Sequence, residues 1–504
     1  MKILNAQQIR EWDQWTIQHK PVASIELMES AAAKCDGWIE ENIFFDSHFI
    51  IFCGKGNNGG DGLALARMLS QRDCKVCVYI LEFGHLGTED FQLNLARLHQ
   101  YPQVEIKFIQ TENQFPPLRS SEVVVDALFG SGLNRPLEGV TAKLVDHIND
   151  ADCETIAIDV PSGLPVDHAA KGKSIIRANH TLTFQTIKLS FLLQENASFI
   201  GDVHVLEIGL SQDYYDSVSS PYEFIDDKFI SAIYKPRNRF AHKGNFGHAL
   251  IIAGAYGKMG AAVLATEGCL RTGAGLTTSH IPKCGYEIMQ TAVPEAMVMT
   301  DFNSSIITNI EEDLSKFNVI GIGPGIGTAT ETRKVLHWIF ETYKKPIVLD
   351  ADALNLLSSD KGLLTKIPSG SVLTPHPKEF ERLFGKSDTD YDRLQLAQQK
   401  AKELDIVIVL KGHHSAIAAP GGQTYFNSTG NPGMAKGGSG DVLTGILAAL
   451  VAQGYDGIEA SVLGVYLHGL AADIAAGKYS QEAMIARDIL DNLGEAFIQI
   501  AQLM

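Results

Sequence analysis

Residues 49–62 read FIIFCGKGNNGGDG: an apolar run, a glycine-rich turn, and then the opening of a helical stretch, DGLALARMLSQR at 61–72. A short apolar run bounded by turn residues reads as a buried strand. Glycines let the backbone turn tightly and approach a ligand, and the N-terminus of the following helix offers unpaired N–H groups to an anion. The turn is close to the G-x-G-x-x-G dinucleotide fingerprint but does not match it. A plain structural turn has no need of two amides and a carboxylate. Asn57, Asn58, Gly59, Gly60 and Asp61 are therefore candidate ligand contacts.

Outward from this turn the same rhythm recurs. KVCVYIL (75–81), EVVVDALF (122–129) and TIAIDVP (155–161) are further apolar runs separated by helical patterns. Residues 211–223, SQDYYDSVSSPYE, break the rhythm with polar, Ser-rich sequence and a proline, and mark a linker. The alternation then restarts with HALIIAG (248–254), NVIGIGPG (318–325), KPIVLDA (345–351), SVLTPHP (371–377) and IVIVLKG (406–412). Strands alternating with helices argue for parallel sheets covered on both faces. The two stretches share no internal repeat, so the expectation is two different α/β domains, at 1–215 and 225–504.

At 504 residues the chain is too long for a single core. The 42 basic and 59 acidic residues leave a net charge of −17, which disfavours nucleic acid or an anionic membrane as a partner. The first ten residues, MKILNAQQIR, contain no signal-type apolar core, and no uninterrupted apolar run reaches membrane-spanning length. Seven scattered cysteines fit a reducing compartment, and the expected location is the cytoplasm. Cys74 and Cys77 form C-x-x-C at the start of an apolar strand with no second pair, a structural rather than a redox pattern.

Two more loops join the first. VVVDALFGSGLNRP places Asp126 at a strand end, followed by Gly130, Ser131, Gly132, Leu133, Asn134, Arg135 and Pro136. AIDVPSGLP places Asp159 and Ser162 at another strand end. Ligands of open parallel sheets bind outside the carboxyl ends of strands, so the three loops predict one shared site. Oxygens of Asn58, Asp126 and Ser162 would suit a hard cation.

These motifs resemble the NAD(P)H-hydrate epimerase family over about residues 1–215, which implies a Rossmann-like three-layer fold. The resemblance implies potassium at Asn58, Asp126 and Ser162. It puts substrate contacts at Asn57 to Asp61, Gly130 to Pro136 and Asp159. Where the family often reads L-M-E-N-A-G, this chain has Leu27-Met28-Glu29-Ser30-Ala31-Ala32. Epimerising a carbon that carries a hydroxyl beside nitrogen needs an acid–base group. Asp159 is the first candidate and Lys188 the second, although Lys188 also fits a strand-end lysine reaching solvent.

In the second half the decisive segment is NPGMAKGGSGDVLTG, residues 431–445. A glycine-rich turn before an apolar helix forms an anion hole, and Asp441 sits where a base would meet a hydroxyl. An Asp in that position also serves as a helix N-cap. G-x-G-D closing a series of strands and helices resembles the ribokinase-like fold. KGNFGHALIIAG (243–254), VLDADALNLL (348–357), LTPHPKEF (373–380) and LKGHHS (410–415) resemble its ADP- or ATP-dependent NAD(P)H-hydrate dehydratase branch.

That resemblance implies nucleotide contacts at Lys411, Gly412, His413, His414, Ser415 and Gly440. It implies hydrate contacts at Ala261, Gly323, Gly325, His376 and Asp441, with Mg²⁺ arriving on ADP or ATP. His413 and His414 lack a third ligand at zinc-like spacing and read as solvent-facing. The expected function is repair of NADHX and NADPHX by a homo-oligomeric tandem enzyme. A ribokinase-like small-molecule kinase fused to a ligand-binding domain, and a non-enzymatic NAD-sensing scaffold, are the competing readings.

Overall fold

The apolar run at 49–53 becomes β1 (His48–Cys53), flanked in a parallel sheet by β2 (Lys75–Leu81) and β4 (Glu122–Ala127). The computed structural model describes all residues except Phe45, Asn134 and 171–173. Contacts divide the chain into one unit spanning Lys2–Ser220 and another spanning Pro221–Met504 with Met1.

In the first unit β3 (Glu105–Ile109), β5 (Glu154–Ile158), β6 (His180–Phe184) and β7 (Asp202–Leu206) complete a seven-stranded sheet of order β3-β2-β1-β4-β5-β6-β7. Every recorded pairing in it is parallel. Successive strand residues point to opposite faces. Ile51 and Cys53 therefore pack with Leu63, Leu65 and Phe91 on one face, while Ile50 and Phe52 pack with Leu144, Val145 and Ile148 on the other. Burial on both faces is why these strands read as unbroken apolar runs. Strand order reverses between β1 and β4, which opens a crevice at their carboxyl ends.

The second unit holds a ten-stranded sheet. Its strands are β8 (Tyr222–Phe224), β9 (His248–Ile252), β10 (Leu276–Ile281), β11 (Met297–Thr300), β12 (Val319–Ile322), β13 (Ile347–Leu349), β14 (Val372–Leu373), β15 (Val407–Leu410), β16 (Ala416–Ala418) and β17 (Thr424–Phe426). The order is β11-β10-β9-β12-β13-β14-β15-β16-β17-β8. Here the fully parallel expectation is corrected: β15–β16 and β16–β17 are antiparallel. Short connections (Lys411–Ser415 and 419–423) allow hairpins, whereas parallel neighbours need crossovers.

One further expectation changes. The polar stretch 211–223 is no bare linker. It contains a helix, Gln212–Ser217, and runs into β8, which pairs with β17 at the sheet edge. The helix Gly457–Tyr479 is long and apolar enough to cross a membrane by length and composition. Most of its apolar window is buried, with Val462, Leu463 and Leu467 inside the same core as Ile251 and Leu447. It is a core helix, interrupted by Glu459, His468 and Asp473.

Candidate active sites

Glycine at 54 and 59 is a steric requirement. A Cβ on Gly54 would lie 2.0 Å from the Leu128 carbonyl oxygen, and one on Gly59 would lie 1.9 Å from the Gly54 oxygen. The turn thereby lets β1 feed the helix Asn57–Gln71, with Gly56 at its N-cap. Gly60 serves packing, since a Cβ there would meet the Met28 sulfur at 2.6 Å. Asn57 is exposed, while Asp61 is buried. Both amide atoms of Asn58 are buried without a hydrogen-bond partner among the described residues. An unpaired buried amide costs about 1–3 kcal/mol, so its retention calls for a ligand.

The three loops do converge. A Cβ on Gly130 would touch Asp159 Oδ2 at 2.9 Å and Asn58 Oδ1 at 3.0 Å, so groups from the ends of β1, β4 and β5 meet around it. Ser131 N–H donates to Asp159 Oδ2 at 2.8 Å. Asp126 is fully buried and accepts from the Leu128 N–H (3.1 Å), the Ser162 N–H (2.7 Å) and Ser162 Oγ (2.6 Å). Burial pushes its carboxyl up to about 6 despite the Ser162 hydrogen bonds. The Gly130–Leu133 turn closes by a 3.2 Å backbone bond. Gly132, Arg135 and Pro136 are exposed on the loop, and Asn134 lies outside the described residues. Ser30, the departure from the family motif, donates to the Ile208 carbonyl.

Asp159 adopts φ +64°, a left-handed conformation that costs a non-glycine residue roughly 1 kcal/mol or more. Lys188 does not reach solvent. It is fully buried, donates to the carbonyls of Phe184 (2.9 Å) and Thr186 (3.1 Å), and lies 3.5 Å from Asp159 Oδ1. An unpaired buried ammonium would cost several kcal/mol, and these three oxygens offset it. One member escaped sequence analysis. Asp13, on the helix Ala6–His19, interacts electrostatically with Asp159 and Lys188. Its only local signal is its place beside the buried Trp12.

In the second unit the carboxyl ends of β9, β12, β13, β14 and β15 supply the site. Asp350, just past β13, is 2% exposed and accepts from Lys411 Nζ at 2.8 Å and Thr444 Oγ1 at 2.9 Å. Burial presses the Lys411 ammonium down, but Asp350, Glu379 and Asp441 together hold it above its usual range. A Cβ on Gly440 would lie 3.5 Å from Asp350 Oδ2 and 3.6 Å from Lys411 Nζ. The N-terminus of the helix Ser439–Ala452 thus abuts the ion pair.

Asp441 is the third residue of that helix, and its N-cap is Gly438 at φ +97°. Asp441 is therefore free of capping duty. Burial, then the Asp350 charge, raise its carboxyl to about 6, against the pull of Lys411. Lys436 is bound up in the loop, donating to the carbonyls of Gln481, Glu482 and Met484.

Gly323, at φ +136°, would place a Cβ 1.8 Å from the Asp350 carbonyl oxygen, and Gly325 abuts Ala261, whose Cβ is 3.1 Å from the Cβ position. His376 caps the helix Pro377–Phe384, its Nδ1 accepting from the Lys378 N–H at 3.1 Å. Burial and then Lys411 hold its ring below the usual imidazole range. Gly412 and His413 are exposed, and Ser415 Oγ donates to the Gly412 carbonyl at 3.3 Å. His414 departs from the expected solvent-facing pair. Its Nδ1 lies 2.9 Å from the Asn427 carbonyl oxygen, and burial lowers it to about 4. Sequence reasoning quoted the segments that contain Asp350, Glu379 and Thr444 but did not single these residues out. Among the described residues no group of three or more His, Cys, Asp or Glu side chains is placed to hold a metal ion.

The family models match both units: "NAD(P)H-hydrate dehydratase" over residues 249–494 and "YjeF-related protein N-terminus" over 24–190. The bifunctional NAD(P)H-hydrate repair enzyme of Moorella thermoacetica is 36% identical across 98% of this chain and 96% of its own length. The chain belongs to the bifunctional NAD(P)H-hydrate repair enzyme family. The Coxiella burnetii repair enzyme is 35% identical over 88% of each chain. Among solved structures, the Bacillus subtilis ADP/ATP-dependent NAD(P)H-hydrate dehydratase, co-crystallised with ATP and Mg²⁺, is 30% identical. It covers 55% of this chain and 98% of its own, with a TM-score of 0.50. A ribokinase-like superfamily protein from Enterococcus faecalis is 30% identical over 56% of this chain and 98% of its own, at a TM-score of 0.51. The repair-enzyme assignment thus spans both units, and the kinase alternative is not favoured.

Proposed function

We propose that this chain repairs hydrated NADH and NADPH. The first unit interconverts the R and S forms, and the second removes water from the S form at the expense of ADP or ATP. The observation that carries the dehydratase half is Asp441. A carboxyl lifted to about 6 stands in the first turn of a glycine-preceded helix, beside the Lys411–Asp350 pair. Asp441 accepts the proton of the hydrate hydroxyl while that oxygen attacks the terminal phosphorus. The bond from phosphorus to the nucleotide oxygen breaks. The ring nitrogen lone pair then expels phosphate, and loss of a ring proton restores the dihydropyridine.

Lys411 and the Gly440 region orient the nucleotide phosphates. Ala261, Gly323, Gly325 and His376 frame the hydrate. Mg²⁺ bound to those phosphates would offset their negative charge. In the first unit Asn58, whose amide has no partner among the described residues, would hold K⁺ with oxygens of Asp126 and Ser162. Asn57 to Asp61, Gly130 to Pro136 and Asp159 would line the hydrate.

Action in the cytoplasm is part of this proposal, supported by seven cysteines joined by no disulfide. Self-association is a further part, checked by light scattering. The decisive experiment follows NADH absorbance from mixed-epimer NADHX with Mg²⁺ and ADP or ATP. Complete recovery supports both halves, and a stable phosphorylated product would favour a kinase instead.

A further inference from the structure

The helix Gly457–Tyr479 is mostly apolar, yet His468 and Asp473 interrupt it, and both turn toward the glycine-rich loop that leads to Asp441. Asp473 ties the start of that loop. Its Oδ2 accepts the Gly430 N–H and its Oδ1 accepts Asn431 Nδ2, each at 2.8 Å. The Tyr466 carbonyl accepts Thr429 Oγ1 at 2.8 Å. Gly469 permits the close approach, since a Cβ there would lie 2.6 Å from the Thr429 carbonyl carbon. Positions 466, 469 and 473 are three and four apart, so one helix face clamps the loop entry.

His468 meets the other end of the loop. Its Nε2 lies 3.3 Å from Ser439 Oγ, and both residues are buried. Ser439 opens the helix Ser439–Ala452; Gly440, against the Lys411–Asp350 pair, comes second and Asp441 third. An apolar side chain would fill position 468 without the cost of burying a polar ring, so the imidazole calls for a task. Burial lowers the ring to about 4, against a backbone hydrogen bond at Ser439 and with Lys411 adding to the fall. A neutral ring holds Ser439 without setting a second cation near Lys411.

We propose that His468 is a positioning residue for phosphoryl transfer. Through Ser439 it fixes the first turn of the helix Ser439–Ala452, so that the Asp441 carboxyl and the neighbouring N–H groups meet the terminal phosphate without moving. This rests on the dehydratase reading of the second unit. Gly437 and Gly438 precede Ser439, and Gly438 stands at φ +97°. Such a segment has little stiffness of its own. Asp473 anchors its entry and His468 its exit. Misplacing a reacting group by about 1 Å costs roughly 100-fold in rate, and donors that do not reorganise are what stabilise transferred charge. His468 exchanges no proton in this role.

The test uses the full chain with S-epimer NADHX, Mg²⁺ and whichever of ADP or ATP supports turnover, following NADH absorbance, with the thermal midpoint as the control for folding. His468→Leu is expected to lower kcat about tenfold while the nucleotide KM changes less than threefold. Ser439→Ala removes the partner with the loss of one atom and should cost the same. The double variant should be no slower than either single one, because both break one link. His468→Gln, which keeps an N–H donor, should recover to within about threefold of wild type. A double variant about 100-fold slower, the product of two independent losses, overturns the proposal. So does a kcat for Ser439→Ala within twofold of wild type, a result that stands even where His468→Leu fails to fold. Failure of wild type itself to form NADH overturns the dehydratase reading and the proposal with it.

Discussion

The two sites occupy equivalent positions on their sheets, outside the carboxyl ends of strands at a reversal of strand order, yet their electrostatics differ. The first sets Asp159 beside one buried lysine, Lys188, near the buried Asp126 carboxyl, with a buried amide at Asn58 that has no partner among the described residues. The second builds a fixed ion pair, Lys411–Asp350, locks it with Thr444 and sets a helix N-terminus against it. A site that only moves protons around a neutral or briefly cationic ring is served by carboxyls. A site that moves a phosphoryl group needs positive charge held ready, because transferred charge is stabilised by donors that do not reorganise. Parallel-sheet architecture allows either, since the loops and not the strands carry the chemistry.

The contrast breaks most sharply at Asp441. Asp441→Asn should cost dehydration about a thousandfold, with epimer interconversion in the same chain unchanged. The mirror experiment is Asp159→Asn. It should cost interconversion about a hundredfold and leave S-epimer dehydration at the wild-type rate. Loss of both activities in either variant would mean that the sites are not independent. Lys411→Ala removes the partner of a buried carboxylate. It should raise the nucleotide KM about tenfold or more and lower the thermal midpoint, with removal of one partner costing about 3 kcal/mol or more in a buried pair.

Acidity sharpens the comparison next. Asp441 must be ionised to act as a base. Dehydration should therefore fall about tenfold per pH unit below about 6, with interconversion following a different profile. The stability consequence has the opposite sign. A folded-state value above the unfolded one favours folding at low pH, and that contribution is lost as pH rises through about 6. Asp441→Asn should accordingly raise the melting midpoint at pH 7.5 while lowering turnover about a thousandfold. The smallest expected effect is replacement of K⁺ by Li⁺. It should slow interconversion several-fold and leave dehydration unaffected.

Much of the site was legible because its loops are short and glycine-bound. Gly54, Gly59 and Gly323 leave no room for a Cβ, so their motifs have sterically fixed forms that can be read along the chain. Asp441 and Asp159 were legible for the same reason, each attached to such a turn. Asp13, Asp350 and Thr444 were not. Asp13 sits in an ordinary helix, Asp350 and Thr444 sit in quoted segments whose glycines and Asp441 draw notice first, and the partners lie at remote positions, 350 with 411 and 444. Lys188 shows the limit from the other side. A lysine between apolar runs fits solvent exposure as well as burial, and only the carbonyls of Phe184 and Thr186 and the Asp159 carboxylate decide for burial.

By itself the sequence determined two α/β units, their apolar strands and the glycine turns at strand ends, since periodicity and steric demand are local properties. Tertiary structure alone decided which carboxyls share a site and which helix is core rather than a candidate membrane span. It also decided where the sheet turns antiparallel. Those outcomes depend on burial and on charges brought together from distant segments, and a residue's effective chemistry follows the company that the fold gives it.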